Sequence, residues 1–152
     1  MTLRRAPTSR DVAEAAARQR RVVEEVLSRG VARYGCPCEW DRFVQWVGKE
    51  HPERSMDDWQ NLLVRAAAGL PTFRIGPPAR PEWWLQDEWL CVRCGARWKH
   101  YSEEWRMMAY RERLVREGRP APAGRMEAPA VPGQALSPEA WAEFMLGEPS
   151  GT

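Results

Sequence analysis

The chain has 152 residues, a formal net charge of +2 and a hydrophobic fraction of 43%. This length suits one domain with some residues left over for a tail, and the apolar content is sufficient for a core. No apolar run approaches the ~20 residues that a membrane-spanning helix needs, and no apolar segment follows Arg4 and Arg5 as a secretory signal would require. We therefore expect a cytoplasmic protein with no membrane contact, and a net charge this small does not mark a nucleic-acid-binding protein.

The charge is unevenly distributed along the chain. Residues 1–33 carry eight arginines against four acidic residues, and residues 106–126 carry six arginines against two glutamates. Arginine makes paired contacts with phosphate and carboxylate groups, so these segments are candidates for a nucleic-acid-binding face. A packing helix with a solvated arginine face explains the same residues, and both interpretations stay open.

Residues 1–9 predict a flexible N-terminus, after which apolar residues recur at helical spacing. Asp11 and Glu14 resemble a capping box and Gly30 is a stop signal, so we expect a helix over about 10–29. A short amphipathic segment follows at 39–49.

The most regular helical pattern in the chain comes next. Ser55 is a candidate cap for this helix, and Gly69 and Pro71 end it.

The middle of the chain predicts a loop and a hairpin. Residues 71–82 are rich in proline, with Phe73 and Ile75 as a short strand or as loop anchors. Residues 83–92 predict a strand, and 96–101 predict its return strand. Ser102 then predicts the start of a helix that ends near Gly118.

The C-terminal part predicts a linker and a short helix. Residues 118–135, rich in proline, alanine and glycine, predict a disordered linker, and 136–147 predict a helix that Ser137 and Pro138 begin. Residues 148–152 are a flexible end. One helix face carries three large apolar residues, which either fold back on the domain or dock in a partner's groove: Trp141, Phe144 and Met145.

The four cysteines form two close pairs, Cys36 with Cys38 and Cys91 with Cys94. In a reducing compartment such pairs indicate a metal site more than disulfides. Two pairs can supply the four thiolates of a tetrahedral zinc ion, a closed site with a structural role. Free or disulfide-forming thiols, another metal, and His100 in place of one cysteine remain alternatives.

The segment from Cys91 to Gly95 reads CVRCG and resembles one knuckle of the zinc-ribbon class over about residues 89–101. The resemblance implies a structural zinc ion on a small β-hairpin. The first pair departs from the class pattern because it is CxC and 52 residues separate Cys38 from Cys91. We therefore expect a mainly α protein with a small zinc-stapled β-hairpin (α+β) over 10–117.

A second resemblance concerns His51-Pro-Glu53 and the CxxC pair, which together are similar to the motifs of zinc-dependent nucleobase deaminases. This would make Glu53 a proton shuttle. Leu90 stands where that family has proline, and a strand-like segment follows Gly95 where the family has a helix. A redox CxxC would require a βαβ setting, which the pattern lacks. An enzyme is therefore the third choice.

Aromatic and basic residues surround the CxxC pair. Trp83 and Trp84 cannot both point inward from one strand, so one of them is a candidate contact residue, together with Arg93 and Arg97. The sequence favours a non-enzymatic adaptor that binds another protein through this aromatic surface and through the C-terminal helix. The alternative is a nucleic-acid-binding accessory protein that uses the arginine-rich helices and an exposed tryptophan. No small-molecule substrate is inferred.

Overall fold

Three helices and a four-stranded antiparallel sheet form the described part of the chain. The computed structural model describes residues 5–43, 54–79, 84–106, 109–118 and 137–147, with the backbone alone for 54–58, 103–106 and 109–111. The helices are α1 (Ser9–Tyr34), α2 (Arg54–Ala68) and α3 (Pro138–Leu146). The strands are β1 (Phe73–Ile75), β2 (Leu85–Cys91), β3 (Arg97–Arg106) and β4 (Ala109–Arg116). The predicted linker from 119 onward, His51, Glu53 and Trp83 lie outside the described residues.

Helix α1 is longer at its C-terminal end than predicted, and its capping box lies three residues earlier. Thr8 is the N-cap: its hydroxyl accepts from the Asp11 backbone N–H at 3.2 Å, and the Asp11 carboxylate accepts from the Thr8 N–H at 2.9 Å. Gly30 does not end the helix. A Cβ there would lie 2.3 Å from the Trp40 indole, so Gly30 lets that ring lie against the helix. Gly35, at φ 84°, ends α1 instead.

The helix predicted from Ser102 is wrong, because this segment lies in the β3–β4 hairpin. Trp98 pairs with Arg116 and Ser102 pairs with Glu112, and the sheet order is β1-β2-β3-β4. Cross-strand pairing outweighs the local helix signals of the segment. The hairpin expected around the CxxC pair is present as β2 and β3, within a sheet larger than predicted. The fold is therefore α+β rather than mainly α.

Side chains of helix α2 form hydrogen bonds with the backbone of one residue, Glu112, on the outer edge of β4. The Glu112 backbone N–H donates to Asn61 Oδ1 at 2.7 Å, and Gln60 Nε2 donates to the Glu112 carbonyl at 2.5 Å. These side chains take the place of a further strand at this point of the edge. Ser55, predicted as the cap of α2, lies inside the helix.

Tryptophan side chains from separate elements build the core. Trp40, Trp89, Trp98 and Trp141 are fully buried. Phe43 packs edge-on against Trp98 with ring centroids 5.7 Å apart, which links the segment after α1 to β3. Trp89 and Trp98 are cross-strand partners on the inner face of the sheet. The core therefore joins the sheet to the residues that follow α1.

Candidate metal centre

The four cysteines meet at one point between the end of α1 and the β2–β3 turn. Their Sγ atoms all lie within 4.8 Å of one another, and no disulfide joins them. Cys36, Cys38 and Cys91 are buried, and Cys94 is exposed. The two pairs that are distant in sequence are therefore brought together, as their spacing predicts.

Two glycine turns position the sulfur atoms. Gly35 leaves the helix in the left-handed region, and Gly95, at φ 80°, closes the CxxC turn. In that turn the Gly95 N–H donates to the Cys91 carbonyl, and the Cys91 N–H donates to the Ala96 carbonyl, both at 2.8 Å. The first pair is not extended throughout. Cys36 has extended backbone angles, but a 3₁₀ turn begins at Pro37 and curls Cys38 back toward the cluster.

Burial and hydrogen bonds act in opposite directions on these thiols. Burial raises the pKa of Cys38, although the Trp98 indole Nε1–H donates to its Sγ at 3.3 Å and works against that rise. Burial likewise raises the pKa of Cys36. At Cys94 burial also acts to raise the pKa, but donation from the Ala96 backbone N–H and from the other thiols outweighs it, so the pKa is lowered.

The geometry fits a tetrahedral metal ion. Four sulfurs at ~2.3 Å from a zinc ion are about 3.8 Å apart, and the Sγ atoms here are at most 4.8 Å apart. Shifts of about 1 Å or less would therefore bring all four sulfurs to coordination distance. These four cysteines could therefore bind a metal ion. His100 is not part of the cluster. Its ring lies between two carboxylates, with Nδ1 3.0 Å from Asp87 Oδ1 and Nε2 2.5 Å from Glu112 Oε2.

Two arginines lie beside the cluster. Arg116 Nη1 donates to the Cys38 carbonyl at 2.7 Å, and the Arg93 guanidinium approaches Gly35 so closely that a Cβ on that glycine would lie 2.9 Å from Nε. A zinc ion with four thiolates carries a net charge of −2, and guanidinium groups at this range offset part of it.

The residues predicted to contact a partner fall into two groups. Trp84 is 45% exposed and Arg93 and Arg97 are exposed, so these three are accessible. Trp84 also has a φ of 69°, a strained angle for a tryptophan.

The three aromatic and apolar residues of α3 lie instead in the core of their own chain: Trp141, Phe144 and Met145. Trp141 stacks on Trp59 with centroids 4.7 Å apart, and the Trp40 Nε1–H donates to the Met145 carbonyl at 3.1 Å. The helix therefore packs on its own domain, the first of the two alternatives that the sequence left open.

Two residues that contact Cys38 are not among the site residues that the sequence predicts. Trp98 and Arg116 contact Cys38, and neither could be paired with it from spacing alone because 59 and 77 residues intervene. The signal for Trp98 is its place four residues after Cys94, on the return strand of the turn.

Several arginines on α1 form ion pairs with acidic residues of α1 or α3. Arg10 pairs with Glu14 at 3.0 Å, and Arg18 pairs with Glu139 of α3. Part of the arginine-rich face is therefore used within the fold.

Comparisons of the chain with protein-family models, with curated proteins and with solved structures each returned no match. In the described ranges, no helix has both the length and the apolar character needed to cross a bilayer.

Proposed function

We propose that the protein is a non-enzymatic binding protein in which one structural zinc ion holds the end of α1 against the β2–β3 hairpin. The convergence of four cysteine sulfurs within 4.8 Å carries this proposal. Four thiolates fill a tetrahedral shell and leave no position for water or substrate, which is typical of structural rather than catalytic zinc.

Zinc is favoured over other metals by the donor set. Thiolate donors in tetrahedral arrangement select zinc or iron, and a single ion bound by two short cysteine pairs is typical of zinc. The tryptophan N–H on Cys38 Sγ supports the thiolate form of that ligand.

The proposed contact residues lie at the two ends of β2. Arg93 and Arg97 are accessible beside the cysteine cluster, Trp84 is accessible at the opposite end of the strand, and an adaptor would use them to hold another protein. Exposed tryptophan and arginine are the residue types that contribute most to protein–protein contacts.

Metal analysis of the purified protein tests the zinc proposal. Elemental analysis should find one zinc per chain in the wild type, and loss of zinc in both Cys36→Ser and Cys91→Ser. His100→Gln is the matched control, because His100 lies on β3 of the same hairpin but outside the cluster, and it should retain the metal. Zinc retained after Cys36→Ser would show that the two pairs do not share one ion.

A further inference from the structure

A row of three side chains crosses the outer face of the sheet. Arg74 of β1 pairs with Leu90 of β2, and Leu90 pairs with Arg97 of β3. Cross-strand partners project from the same face, which here is opposite to the face of the buried Trp89 and Trp98. The two arginines therefore flank Leu90, with Cα atoms about 10 Å apart, two interstrand spacings.

This row is accessible, and its two cations have no partner in the described part of the chain. Arg74 and Arg97 are exposed, and within the described ranges neither side chain makes a hydrogen bond or an ion pair. Leu90 is half-buried. Val92, two residues further along the same chain, is 53% exposed. We name Arg74, Leu90, Val92 and Arg97 the Arg–Leu–Arg surface.

A depression of about 210 Å³ lies along this row and has Arg74, Leu90 and Arg97 among its lining residues. Glu88 and Glu117 also line it. Glu117 is paired with Lys99 of the same face at 3.8 Å, whereas neither arginine has such a partner among the residues that the structure describes. The depression thus has two guanidinium groups around an apolar centre. Glu88 lies two residues before Leu90 on β2, and Glu117 lies beside Arg97, where its backbone N–H donates to the Arg97 carbonyl at 2.8 Å.

The chemistry of this surface selects its occupant. A guanidinium binds a carboxylate through two parallel hydrogen bonds, and the leucine between the arginines suits an apolar side chain. A polyanion such as single-stranded nucleic acid would place phosphates against Glu88 and Glu117 as well, and like charges at short range are repulsive. An acidic polypeptide can place its carboxylates only where the arginines are.

We infer that the Arg–Leu–Arg surface binds a segment of a partner protein in which an apolar side chain lies between two acidic ones. This inference rests on the proposed binding function and names its partner chemistry. It also places the contact on the outer sheet face, with Arg97 shared and Arg74 and Leu90 added to the residues that the sequence predicts.

Selection from a phage-displayed library of random heptapeptides against the zinc-loaded full chain tests the inference. Enriched sequences should carry at least two acidic residues around an apolar one. Synthetic peptides of these sequences should bind at least tenfold more weakly to Arg74→Glu and to Arg97→Glu. Arg21→Glu is the matched control: it makes the same charge change on exposed α1 and should leave binding unchanged. Zinc content and melting temperature of each variant show that the fold is retained.

Each other outcome overturns the inference. No enrichment, enrichment of sequences without acidic residues, or equal losses in all three variants would each exclude this surface as an acidic-segment site. Labelled oligothymidylate in place of the library distinguishes the other macromolecule: steeply salt-dependent binding lost in Arg74→Glu, with no acidic peptide selected, would assign the surface to nucleic acid. In all these cases one zinc per chain would still be found, so the metal proposal stands or falls separately.

Discussion

Replacement of Trp141 by alanine tests whether α3 packs on its own domain in solution. Trp141 has no exposed surface, and its indole is nearly parallel to that of Trp59, with 9° between the ring planes. The substitution removes the stacked ring and leaves a cavity between α3 and α2. The alternative is that α3 leaves this position and a partner protein receives the helix.

The size of the effect follows from the buried area. A tryptophan side chain buries about 150–250 Å², which at about 25 cal/mol per Å² corresponds to roughly 4–6 kcal/mol as an upper bound. Measured Trp→Ala substitutions in cores cost about 3–5 kcal/mol. Small domains have a total free energy of unfolding of about 5–15 kcal/mol, so this single change should remove a large share of it.

A conservative variant separates ring burial from hydrogen bonding. Trp141 Nε1 has no hydrogen-bond partner among the described residues, so Trp141→Phe loses ring area but no hydrogen bond. We expect Trp141→Phe to lose no more than about half of what the alanine variant loses.

Urea unfolding of the zinc-loaded protein, followed by tryptophan fluorescence and far-ultraviolet circular dichroism, measures these differences. Glu143→Ala on the exposed face of α3 is the control and should change the free energy of unfolding by less than about 0.5 kcal/mol. A loss below about 1 kcal/mol in Trp141→Ala would refute the packing argument and favour a helix that is free to dock elsewhere.

Three further predictions follow from single contacts. Trp98→Phe removes the N–H bond to Cys38 Sγ and should weaken zinc binding about 10–100-fold in a chelator competition, with one zinc still bound at saturation. His100 should make the stability pH-dependent: burial acts to lower its pKa, but its two carboxylate neighbours outweigh burial and raise it. The stabilisation it provides is therefore complete below the unfolded pKa of about 6.5 and lost as pH rises through the raised folded pKa, so the stability gap between wild type and His100→Asn should narrow with rising pH. Gly30→Ala should lower the melting temperature. The new Cβ would lie 2.3 Å from the Trp40 ring, and this clash should cost more than the ~1 kcal/mol that alanine gains over glycine in helix propensity. An increase in melting temperature would show that this contact does not exist.

The metal cluster and the C-terminal helix could be predicted because their signals are local. Each cysteine pair lies within four residues, and cysteines at such spacing are typical of a metal site. Ser137 accepts from the Ala140 N–H and Pro138 begins the helix, as the start signals predict. Within each cysteine pair and within the helix the residues are neighbours in sequence, whereas the meeting of the two pairs, with 52 residues between them, depends on the fold.

The β3–β4 hairpin could not be predicted for the opposite reason. Its N-terminal strand carries adjacent acids, Glu103 and Glu104, which are typical of a first helical turn, and the strand state depends on pairing with residues further along. The same holds for Gly30, whose role depends on a ring ten residues later in the chain. Secondary-structure propensity depends on a segment alone, whereas the strand state of this hairpin and the role of Gly30 depend on contacts with residues elsewhere in the chain.

A metal bound by the four cysteines would stabilise the fold through its position in the chain. With 52 residues between Cys38 and Cys91, a metal cross-link would remove about 4 kcal/mol of loop entropy from the unfolded chain, comparable to a disulfide that closes a loop of this size. That loop includes α2 and β1, so the ion would hold the residues after α1 and the sheet together from both ends of the segment that joins them. Helix α3 contacts the same end of α1, because Arg33 Nη1 donates to the Leu146 carbonyl at 3.2 Å and the Trp40 Nε1–H, two residues after Cys38, donates to the Met145 carbonyl at 3.1 Å. Loss of a bound metal should therefore loosen the end of α1 that contacts both the sheet and α3.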